Sequence, residues 1–65
     1  MNIYINGEAQ QVQASTLAEL VIALDLQQKR IAVEMNGNLV PKSRHASTLL
    51  SEGATIEIIQ AVGGG

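Results

Sequence analysis

Cysteine is absent from this chain, and His45 is its only histidine. Disulfides and thiolate metal sites are therefore excluded, and one imidazole without thiolates makes a poor zinc site, so no metal is expected. The lack of cysteine fits a reducing compartment. Nucleophilic catalysis by cysteine, or by serine with a nearby histidine base, has little to work with. Tryptophan and phenylalanine are also missing, which leaves Tyr4 as the sole aromatic. The four basic residues, Lys29, Arg30, Lys42 and Arg44, make no long run. A nucleic-acid partner needs a basic face, usually with aromatics for stacking, so none is expected. No apolar run approaches the ~18 residues of a membrane span, and no signal peptide is recognisable. A cytoplasmic protein with no membrane partner is the expectation.

What is present suits one small domain of 65 residues. An apolar fraction of 46% against 15% charged residues argues for a packed core rather than disorder. Glu8, Glu19, Asp25, Glu34, Glu52 and Glu57 are scattered, with no base, nucleophile or metal set beside them. They read as a solvated surface, and no catalytic residue is assigned.

Residues 2–6 alternate, with Ile3 and Ile5 on one face, and Asn6-Gly7 then signals a hairpin turn. Residues 10–14 resume the alternation with Val12 and Ala14 inward. Thr16-Leu17-Ala18-Glu19 matches a capping box. Leu17, Leu20, Val21 and Leu24 follow as one stripe of a helix running to about Leu26. Ile31, Val33 and Met35 alternate in a third strand that ends at Asn36-Gly37-Asn38, and Pro41 halts a short Leu39-Val40 segment. Ser43 is expected to cap a helical turn over 44–50, returning Leu49 and Leu50 to the core. Glu52-Gly53 marks a last turn before the longest apolar strand, residues 54–62. Such a strand belongs in the middle of a sheet. With one helix on one face and right-handed crossovers, it lies parallel to the first strand. The expected fold is α+β: a β-grasp, a mixed four- or five-stranded sheet packed on one helix.

Three of the six glycines (Gly7, Gly37, Gly53) answer to turns; the others are the last three residues. Packing gives no reason to place glycine there. Chemistry does, because a tail without Cβ atoms can thread into a narrow site on another protein and present its carboxylate. The expected organisation is a domain over 1–62 and a flexible tail over 63–65.

A β-grasp order joined to a terminal Gly-Gly resembles the ubiquitin-like family, and within it the ThiS-type sulfur carriers of thiamine biosynthesis. The likeness spans the chain: the Met1-Asn2-Ile3 opening, the Asn6-Gly7 turn, Leu39-Val40-Pro41, Glu52-Gly53, Ile56-Glu57-Ile58-Ile59 and Val62-Gly63-Gly64-Gly65. Ala54 departs from it, since an acidic residue often follows that glycine in such sequences. The resemblance implies a carrier rather than an enzyme, with no bound cofactor. A ThiF-like adenylyltransferase would activate Gly65 with ATP, while Gly63 and Gly64 thread into the partner. A sulfur donor such as a cysteine desulfurase relay would then convert Gly65 to a thiocarboxylate, and thiazole synthase would take the sulfur. The carrier subunit of molybdopterin synthase, a ubiquitin-like protein modifier, and a plain binding domain with an incidental glycine end remain alternatives.

If Ile56 and Ile58 face the helix, alternation puts Glu57, Ile59 and Ala61 on the opposite face. Tyr4 points the same way on the first strand. Tyr4, Ile59 and Ala61 are therefore expected to form an exposed apolar strip for partner docking, although scattered surface hydrophobes are also ordinary. His45, in a polar stretch beside Lys42 and Arg44, is expected at the surface; a proton shuttle is the other reading.

Overall fold

Asn6 and Gly7 both adopt positive φ, 49° and 84°. This two-residue turn joins β1 (Asn2–Ile5) to β2 (Glu8–Gln11). The computed structural model describes residues 1–61. Asn36 and Gly37 repeat the device at 53° and 86° between β3 (Ile31–Met35) and β4 (Asn38–Val40). Between the hairpins runs α1 (Leu17–Ala23), and a 3₁₀ helix (Lys42–Ser47) precedes β5 (Thr55–Gln60). The strands form one five-stranded sheet in the order β2-β1-β5-β3-β4. β5 is central, parallel to β1 and antiparallel to β3. This is the ubiquitin-like β-grasp expected from the sequence.

Ile3, Ile5, Leu17, Leu20, Val33, Leu50, Ala54 and Ile56 form the buried core between sheet and helix. The capping box is complete: Thr16 accepts from the Glu19 amide at 3.1 Å, and the Glu19 carboxylate accepts from the Thr16 amide at 3.3 Å.

Several boundaries differ from expectation for local reasons. β2 begins at Glu8 because a two-residue turn already pairs Glu8 with Ile5. Val12 and Ala14 lie beyond the strand, partly buried against the core. The helix stops at Ala23 instead of Leu26, because Asp25 takes φ 61°. The Asp25 amide then donates to Ile22 (2.9 Å) and the Leu26 amide to Val21 (2.9 Å), a Schellman ending built without glycine. Ser43 sits inside the 3₁₀ helix, which has Pro41 at its cap position and no side-chain cap.

Leu50 is buried but Leu49 is not. Residues 48–50 are extended rather than helical: Leu49 bridges Thr16, and the Leu50 amide donates to the Ser15 carbonyl. Alternation therefore sends the two leucines to opposite sides. His45 is buried rather than exposed, because the 3₁₀ helix packs on α1. Its Nε2 lies 3.1 Å from the Val40 carbonyl. A carbonyl only accepts, so Nε2 carries the proton and His45 pins β4 to the 3₁₀ helix. The last strand ends at Gln60. Val62 and the Gly63-Gly64-Gly65 tail lie outside the described residues.

Candidate functional site

β5 is the last strand before the terminal glycines in the sequence, and it is anchored on both sides. β3 pairs with it from Met35↔Ile56 to Ile31↔Gln60, and the Ala61 amide donates to the Arg30 carbonyl at 2.9 Å. On the other side the β1 ladder is short, Tyr4↔Thr55 and Ile5↔Ile56, and the Asn6 side chain extends it to Ile58. At the start of β5, the Asn36 amide donates to the Thr55 carbonyl at 2.8 Å. The Asn36 Oδ1 accepts from the Thr55 amide at 3.0 Å. Backbone groups are thus held on both sides of β5 and, on one side, up to Ala61.

Tyr4, Ile59 and Ala61 are all exposed. Ile59 and Ala61 share the face away from the core. Tyr4 does not adjoin them. It stands opposite Thr55, four residues from Ile59 and about 13 Å along the strand at ~3.3 Å per residue. Thr55 and Glu57 occupy the outer positions between. The expected continuous strip is therefore two separate apolar spots, of which Ile59 and Ala61 lie beside the route to the tail.

A feature the sequence did not suggest adjoins that second spot. A groove of about 680 Å³ runs between α1, the 3₁₀ helix and the end of the sheet where β3 begins and β5 finishes. Ile59 and Ala61 line its sheet side, and Val21, Ile22 and Leu26 its helix side. Lys29, Arg30 and Lys42 also line it. Lys29-Arg30 and Lys42 are distant in sequence, so no local motif announces the cluster. Among the described residues, no group of three or more His, Asp or Glu side chains is placed to hold a metal ion. No helix among them is long and apolar enough to cross a membrane.

Comparison with known proteins follows the same lines. The ThiS family model matches residues 3–65. A thiazole synthase of Paramagnetospirillum magneticum is 36% identical over a 66-residue alignment that takes in all of this chain. The chain spans only 20% of that relative's length. The sulfur carrier protein ThiS of Escherichia coli K12 is 33% identical, with both chains covered in full. The crystal structure of a thiamine biosynthesis protein (ThiS) from Geobacter metallireducens superposes with a TM-score of 0.84, at 29% identity and full coverage of both chains.

Proposed function

The chain belongs to the ThiS family, and from that premise we propose that it is a sulfur carrier for thiamine biosynthesis whose reactive group is the carboxylate of Gly65. A carboxylate is a poor electrophile. A ThiF-like adenylyltransferase would let it attack the α-phosphate of ATP, releasing pyrophosphate and leaving an acyl-adenylate. The terminal sulfur of a persulfide, from a donor such as a cysteine desulfurase relay, then displaces AMP to leave an acyl disulfide. A thiol cleaves that disulfide, releasing the thiocarboxylate and leaving a new disulfide on the donor side. Thiazole synthase consumes that sulfur. The chain itself contributes a rigid handle and a narrow end, and its partners supply the catalysis.

The observation that carries this reading is the match over residues 3–65, which takes in the three glycines that end the sequence. The thiazole synthase partner draws support from relatives that bear that name and contain a segment resembling this whole chain. The fold supports delivery of the tail, since the strand before it is anchored on both sides.

Intact-mass spectrometry tests the proposal. Incubation with the adenylyltransferase, ATP and a sulfide source should add the mass difference of one oxygen exchanged for sulfur, localised to Gly65. An unchanged C-terminal mass, with an adenylyltransferase shown to be active on another carrier, would overturn it.

A further inference from the structure

The groove between α1 and the 3₁₀ helix joins clustered cations to an exposed apolar floor on a chain of net charge -2. Three of the chain's four Lys and Arg residues line this one groove. Among the described residues, no Asp or Glu lines it. Between the cations lies an apolar floor that includes Val21, Leu26 and Ile22, the last 58% exposed. An exposed isoleucine beside a concave apolar surface stays in contact with water unless something covers it. The concavity suits side chains of an inserted segment better than a flat bilayer.

We propose that this groove is a docking site for an acidic, amphipathic segment of a protein partner. Apolar side chains of that segment would cover Val21, Ile22 and Leu26, and its carboxylates would face Lys29, Arg30 and Lys42. Charge complementarity selects the occupant: a basic segment would meet three like charges, and a neutral apolar one would leave the cations without counter-charges. The groove runs to Ala61, four residues in sequence before Gly65, the reactive end under the carrier reading. Only the partner's identity as an enzyme acting on that end rests on the carrier reading.

The test uses the full chain, ¹⁵N-labelled, titrated with a synthetic amphipathic peptide of leucine, alanine and glutamate, and with its lysine-for-glutamate counterpart. The acidic peptide should shift the amides of Val21, Ile22, Lys29 and Lys42 and leave Ala9 and Gln10 on β2 unmoved. Affinity should fall with added salt. The exposed double substitution Lys29→Glu, Lys42→Glu should weaken it by about tenfold or more. The inference is overturned if the lysine peptide binds equally well, or if the shifts fall on Tyr4, Thr55 and Glu57, which lie outside the groove. It is also overturned if vesicles of anionic lipid bind these amides more tightly than the peptide, or if the free chain self-associates through them. In a second arm, the acidic peptide should compete with the adenylyltransferase or thiazole synthase for the chain. Binding of both enzymes without competition, and unchanged by the double substitution, overturns the groove's role while the carrier reading stands. Failure of the wild-type chain to bind either enzyme counts against the carrier reading alone, because the peptide shifts still decide the groove.

Discussion

The Asn6 side chain grips both backbone groups of Ile58. Its Oδ1 accepts from the Ile58 amide at 2.8 Å, and its Nδ2 donates to the Ile58 carbonyl at 3.3 Å. A turn residue thereby extends a parallel ladder past the end of its own strand. Asn6 holds positive φ as well, so the substitution that isolates the clamp is Asn6→Gly, which tolerates that backbone. Two exposed hydrogen bonds are lost, and stability should fall by about 1–2 kcal/mol. Urea unfolding measures this; an unchanged midpoint would show that water replaces the clamp at no cost.

Truncation of Gly64 and Gly65 should abolish sulfur acceptance while leaving the unfolding midpoint within error of the full chain. Among the described residues, the buried cluster and the residues packed on it fall between Ile3 and Ile58, well before the truncation point. Mass spectrometry and thermal unfolding of the same preparation check both halves. A thiocarboxylate formed on the shortened chain would show that Gly65 is not the required acceptor.

Much of the fold was legible because particular residue types answer particular backbone needs. Asn6-Gly7 and Asn36-Gly37 announce positive φ, Thr16 and Glu19 announce a helix start, and alternation announces Ile3, Ile5, Val33 and Ile56 as core. The helix end was not legible. Asp25 takes the position that glycine usually fills, while Leu24 and Leu26 continue the apolar pattern across it. His45 and Leu49 were misplaced because their surroundings are tertiary: one is covered by packing of the 3₁₀ helix on α1, the other is turned outward by a single bridge to Thr16. At the candidate site, alternation assigned Ile59 and Ala61 to the correct face. It could not supply the β1–β5 register that separates Tyr4 from them. The basic groove is visible only once residues 29–30 and 42 are folded together.

Leu20→Ala should cost about 2–5 kcal/mol, the usual range for a large-to-small change in a well-packed core. Leu20 is fully buried, at 0% exposure, in the helix stripe that covers the sheet. For a domain this small the loss is most of the available stability. Denaturant unfolding at low temperature, where the mutant retains a folded baseline, gives the value; a cost under ~1 kcal/mol would mean the cavity collapses freely.

Ile59→Lys should leave the fold intact, since Ile59 is 59% exposed, yet weaken binding to the adenylyltransferase and to thiazole synthase. The expected loss is roughly fivefold or more, the range of a contact residue whose truncation costs above ~1 kcal/mol. Tyr4→Ser is the informative companion. If Tyr4 and Ile59 formed one strip, a partner side chain could bridge them and the two substitutions would couple. The register instead puts Tyr4 opposite Thr55, with Thr55 and Glu57 between it and Ile59 on the outer face. Sites more than ~7–10 Å apart with no shared partner add to within ~0.5 kcal/mol. The free energies lost by Tyr4→Ser and Ile59→Lys should therefore sum in the double mutant, for each enzyme measured separately. A coupling well above that limit would mean that a single partner element spans both spots, and unchanged affinity of Ile59→Lys for both enzymes would make Ile59 plain surface.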